Sequence, residues 1–167
     1  MSETSTVPEI VTLLASLNSQ RRHLLGSMDG LSDDDLRRPV LPSGWNCLGL
    51  VQHLTRDVEE FWFHGIVAGE PIMLEESSTA WIVAADVPAG SVFDRYRDVT
   101  EHANEIIGAA NPDAAPLWWP EELFPPGFRY DNVRQIMLHV IAETACHAGH
   151  LDIVRELIDG KYWLVLT

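Results

Sequence analysis

His139-Val140-Ile141-Ala142-Glu143-Thr144-Ala145-Cys146-His147-Ala148-Gly149-His150 lies in a segment whose apolar residues recur at steps of three and four. That spacing is the period of an α-helix, which advances ~100° per residue. With His139 set at zero, Glu143 falls near ~40°, His147 near ~80° and His150 near ~20°. Val133, Ile136, Val140, Leu151, Val154 and Ile158 centre near ~100° on the same wheel. A long helix therefore carries four groups able to bind a metal along the border of its buried face, with His147 and Glu143 deepest. Burying such groups without partners is costly, and a metal ion is one way to satisfy them.

Three more long helices are expected around this one. The first spans 7–28, with Ile10, Leu13, Leu14, Leu17, Leu24 and Leu25 at helical steps and Pro8 suited to a first turn. A short capped turn follows at Ser32-Asp33-Asp34-Asp35-Leu36, its acidic run read as helix N-terminal charge and not a calcium loop. After a Pro/Gly loop over 38–44, the second helix runs over 46–68, capped by Asn46 and stopped by Gly69 and Pro71. The stretch 73–87 is irregular. The third helix spans 89–110, and the loop over 118–127 carries too many prolines to be helical. The fourth runs over 132–159 with Gly160 as its C-cap. The tail over 162–166 is left open between coil and strand. With no convincing alternating pattern, the expectation is all-α: one domain over 1–167, a four-helix bundle with long inter-helix loops.

A formal charge of −14 argues against nucleic acid as a partner, because phosphate binding needs a basic face. Anionic membrane surfaces are disfavoured for the same reason. No apolar run approaches the ~18 residues of a membrane span. Cys47 and Cys146 make no disulfide framework, and no signal peptide is evident. A soluble cytoplasmic protein is expected.

Metal and cofactor sites in bundles lie between facing helices. The second helix supplies His53, and Asp57, Glu60 and His64 fall within roughly 40° of it on an α-helical wheel. The preferred ligand set is His53, Glu143 and His147 with water in an open position, and His150 is the alternative to Glu143. Two imidazoles and a carboxylate suit Zn²⁺, and also Ni²⁺ or Fe²⁺. His139 and Glu60 read as partners orienting a ligand or a bound water.

Other residues take plainer readings. His23 and His102 stand alone, and Arg56, Asp57 and Glu59 form a solvated helix face. Cys146 reads as a small buried residue in preference to a thiol ligand or nucleophile, and Trp62 and Trp81 read as core. Trp118, Trp119, Phe124, Phe128, Arg129 and Tyr130 crowd the loop before the fourth helix. They either plug the end of the bundle or wall a pocket, where Trp119 and Tyr130 bind substrate and Arg129 holds an anionic group.

The run Trp45-Asn46-Cys47-Leu48-Gly49-Leu50-Val51-Gln52-His53-Leu54, with Glu143 to Asp152 and Arg155-Glu156-Leu157-Ile158-Asp159-Gly160, resembles the DinB-like superfamily, and within it the mycothiol-transferase-like branch. The resemblance implies a four-helix bundle, often a homodimer, with a divalent metal held by one residue of the second helix and two of the last. On matching positions these are His53, Glu143 and His147; many DinB-like proteins have histidine where this chain has Glu143.

The leading expectation is a metal-dependent thiol S-transferase. The metal holds a low-molecular-weight thiol, mycothiol by resemblance, as thiolate, and the thiolate attacks an electrophilic small molecule. His150 or Glu60 serves as base. The rival expectations are a metal-dependent small-molecule hydrolase, in which bound water is the nucleophile, and a non-catalytic metal-binding dimeric bundle.

Overall fold

The computed structural model describes residues 7–74 and 80–163, and within them the chain is helical with no strand. The elements are α1 (Val7–Ser27), α2 (Asp33–Arg37), α3 (Cys47–His53), a π-helix (Leu54–Val67), α4 (Ala89–Ala109), a 3₁₀ turn (Glu121–Leu123) and α5 (Val133–Asp159). α3 and the π-helix are continuous, so four long rods make an all-α bundle. α1 packs along α5, and α4 along the π-helix. Leu17, Leu24, Phe63, Tyr96, Ile136 and Leu151 meet at its centre, each shielded almost completely from solvent.

Side-chain caps start three helices where the sequence places them. Ser32 accepts from the Asp35 N–H, Asn46 from Gly49 and Asn132 from Gln135, satisfying donors that a helix start leaves unpaired. Gly160 ends α5 in the left-handed region at φ 75°, which a side chain would strain. Of the tail, residues 164–166 lie outside the described residues; Trp163 stacks on His23 of α1.

The second rod departs from the α-helical expectation. After His53 it winds with i→i+5 geometry, which is rare beyond a single turn. Each residue then turns the helix less than α-winding would, and the wheel drawn from His53 slips out of phase. Glu59, expected on a solvated face, is fully buried and takes Arg21 bidentately at 2.7 and 2.5 Å. Arg21 also donates to Asn18 and Asn104 at 2.8 and 2.7 Å. Glu60 and His64 turn to α4: Glu60 pairs with Arg95 at 3.1 Å, and His64 Nε2 lies 3.1 Å from the Val99 carbonyl. These tertiary contacts hold a winding that has poorer intrinsic hydrogen bonding.

Candidate metal centre

α3 ends with His53 facing α5, where Glu143 and His147 sit one turn apart. One donor atom from each of the three lies within 4.8 Å of the others. His147 Nε2 is 3.1 Å from Glu143 Oε1. The rings of His53 and His147 meet edge-on with centroids 5.2 Å apart. Burial pushes His147 below the usual imidazole range, helped by the neighbouring His53 and opposed by Glu143, which favours the neutral ring.

Two observations test whether these residues fit a cation. Asp57, which stays beside His53 across the change of winding, is 2.8 Å from His53 Nδ1. A carboxylate there fixes the Nδ1–H tautomer and leaves Nε2 with its lone pair, the arrangement that metal-binding histidines use. His147 Nδ1 is buried without a hydrogen-bond partner, a costly state for a side chain with nothing to bind. The donor set is chemically complete for a borderline divalent ion with an open position.

Trp81, expected in the core, is only partly buried and lies over the candidate donor group. Its ring stacks on His53 with centroids 4.2 Å apart and an interplanar angle of 16°, and lies 5.8 Å from His147. The motif around Asn46 explains how it is held. A Cβ on Gly49 would lie 2.1 Å from the Trp81 carbonyl oxygen, so only glycine lets this backbone lie on α3. Gln52 then donates to the Ala80 and Ile82 carbonyls at 3.0 and 2.9 Å, one on each side of Trp81. The irregular segment is thereby clamped with its indole over the candidate ligand. A glycine three residues before a glutamine on a capped helix was the available signal, but its partner carries no periodicity to find it by.

His150 is exposed at the rim, its ring 5.6 Å from His147 and 6.5 Å from Trp45, and it is not in the three-residue donor group. Glu60 is engaged by Arg95 and is likewise outside that group. His139, one turn from Glu143, sits against Trp62 at 4.7 Å and Tyr130 at 5.4 Å, and burial lowers its pKa. Trp62 is core, as expected. Trp119 stacks on Phe124 at 4.5 Å, and its indole N–H is buried without a partner. Arg129 lies over Trp119 and pairs with Glu121 at 3.2 Å. The aromatic loop therefore packs onto the bundle through Trp62 and His139, one turn from the donor group.

Three plainer readings need correction. Cys146 is exposed, because it lies on the outer side of α5 from Ala148 and Leu151. His23 does not stand alone: its Nε2 is 2.9 Å from both oxygens of Asp152 on α5. His102 meets Glu70 and Glu105 at 3.0 and 3.2 Å.

A family model described as mycothiol-S-transferase matches residues 12–160. No curated protein matches the chain.

Proposed function

The chain belongs to the mycothiol-S-transferase family, and from that premise we propose that it is a metal-dependent thiol S-transferase working at His53, Glu143 and His147. The observation that carries this reading is the convergence of two imidazoles and a carboxylate from two helices, with the His53 tautomer set by Asp57. When bound there, a divalent ion such as Zn²⁺, Ni²⁺ or Fe²⁺ lowers the pKa of a coordinating thiol and so supplies a nucleophile near neutral pH.

The chain's own residues do the rest. Trp81 covers His53 and restricts water on that side, while α3 and α5 hold the donors on rigid backbone. His150, solvent-facing beside His147, takes the thiol proton; Glu60 is bound to Arg95 and is the weaker candidate. Mycothiol is the thiol that the family name indicates. Its sulfur forms a bond to an electrophilic carbon as the leaving group departs with the carbon's bonding pair. Trp119, Tyr130 and Arg129 form the substrate side, with Arg129 exchanging Glu121 for an anionic group of the substrate.

A homodimer is part of the proposal. Leu138, Ala142, Cys146, Ile153 and Leu157 form an exposed apolar stripe along the outer face of α5. Two free cysteines suit a reducing cytoplasm.

The test is consumption of a haloarene by the metal-loaded protein with and without mycothiol. Turnover requiring both metal and thiol, and lost in His147→Ala, is the expected result. Activity undiminished in metal-free His147→Ala would overturn the site. Ester or amide cleavage without thiol would replace the transferase by a hydrolase.

A further inference from the structure

The second rod presents a different face to α4, and there His64, Glu70 and His102 bring one donor atom each to within 4.8 Å of the others. His64 is on the π-helix and 8% exposed, Glu70 follows the end of that helix, and His102 is on α4. The Glu70 backbone N–H donates to the His64 carbonyl at 2.9 Å, which ties the carboxylate to the histidine it faces.

The hydrogen bond on the outer nitrogen of His64 decides what its inner nitrogen carries. His64 Nε2 is 3.1 Å from the Val99 carbonyl, which can only accept, so Nε2 holds the proton. Nδ1 of the neutral ring is then a lone pair, and it lies 3.9 Å from Glu70 Oε2. His102 lies between two carboxylates. Its Nδ1 is 3.2 Å from Glu105 Oε2, another acceptor, and its Nε2 lies 3.0 and 3.1 Å from the two Glu70 oxygens. His102 thus has a carboxylate acceptor at each nitrogen, which raises its pKa, while His64 Nδ1 brings a lone pair to the Glu70 carboxylate. Positive charge is drawn to this carboxylate, carried either by a proton on His102 or by one metal ion between two rings whose centroids are 4.6 Å apart.

We propose that His64, Glu70 and His102 form a second site for a divalent transition ion of the zinc class, separate from the donor group on α3 and α5. Two imidazoles and a carboxylate are a suitable ligand set, and each ring's outer nitrogen has the carbonyl or carboxylate partner that orients metal-binding histidines. Glu70 and His102 are partly exposed, so they can close the distance to the ~2.0–2.1 Å that zinc ligands adopt. An ion here ties the end of the π-helix to α4 and stabilises the folded chain by binding it alone. The proposal does not depend on the thiol-transfer reading.

The experiment is equilibrium dialysis of metal-stripped protein against Zn²⁺, with bound metal measured by mass spectrometry. The background is His53→Ala/His147→Ala, which removes the first donor group. One equivalent should remain in this background, and adding His102→Ala should weaken it by at least tenfold. The same His102→Ala change in the wild-type chain should remove one equivalent of two, which keeps the test valid if the double variant folds poorly. Zinc should raise the melting temperature of the double variant and leave that of its His102→Ala derivative unchanged. A wild-type zinc content indifferent to His102→Ala, or a folded double variant that retains no zinc, overturns the second site whatever becomes of the first.

Discussion

Replacing Glu59 by alanine tests the winding of the second rod through its most costly consequence. Glu59 is completely shielded and Arg21 is 4% exposed, so the change strands a guanidinium in the core. Breaking a buried pair by removing one partner costs about 3–5 kcal/mol. Arg21 keeps Asn18 and Asn104 as acceptors, which places the expected loss at the lower end, about 3 kcal/mol. For a domain of this size, that is a fall in Tm of roughly 6–12 °C. The pair Arg21→Met/Glu59→Leu should recover most of the loss, because apolar residues of similar volume carry no desolvation penalty. Urea unfolding of Arg21→Met, Glu59→Leu and the pair measures the coupling directly. A Glu59→Ala protein within ~0.5 kcal/mol of wild type is what an exposed residue gives. It would mean that position 59 faces water, as continued α-winding has it, and would refute the π-helical phase.

Gly49→Ala should displace the Trp81 backbone and break both Gln52 bonds, a loss of about 2 kcal/mol offset by about 1 from the better helix former. Amide exchange across 80–82 should quicken markedly while Tm moves by only a few degrees; unchanged exchange would contradict the clamp. Cys146 is exposed, whereas burial pushes the Cys47 thiol up to about 11. A thiol reagent at neutral pH should therefore titrate one cysteine in the native protein and both in denaturant, and Cys146→Ser should abolish the native reaction. Burial beside Trp62 and Tyr130 holds His139 below its ordinary value near 6.5. The unfolded chain then binds the proton that the folded chain refuses. Stability is undiminished above pH 6.5 and falls as pH drops through the interval below it. Tm should decline less between pH 7 and 5.5 in His139→Gln than in wild type; parallel curves would remove the effect.

The fold was readable because its signals are local. Asn46 and Asn132 mark helix starts and Gly160 a stop, and the three- and four-residue steps of α1, α4 and α5 declare long amphipathic rods. The π-helix was not readable, since a segment as apolar as Phe61-Trp62-Phe63-His64-Gly65-Ile66-Val67 fits several windings, and a wheel fixed at 100° per residue misplaces Glu59, Glu60 and His64. Such a wheel sets Glu59 in water and Glu60 beside His53, whereas Arg21 on α1 and Arg95 on α4 claim them. His53, Glu143 and His147 could be brought together on paper because each lies in a normally wound α-helix. Trp81 and the meeting of His64 with Glu70 and His102 depend on long-range packing that no single segment encodes.

The central claim is that a thiol reaches a metal held by His53, Glu143 and His147. Cobalt(II) substituted into the protein reports this directly, because a coordinating thiolate adds an intense near-ultraviolet charge-transfer absorption. Titration with mycothiol should bring up that band in the wild-type chain and in His102→Ala, and not in His147→Ala. A cobalt-loaded wild-type protein whose spectrum ignores saturating thiol would contradict the account.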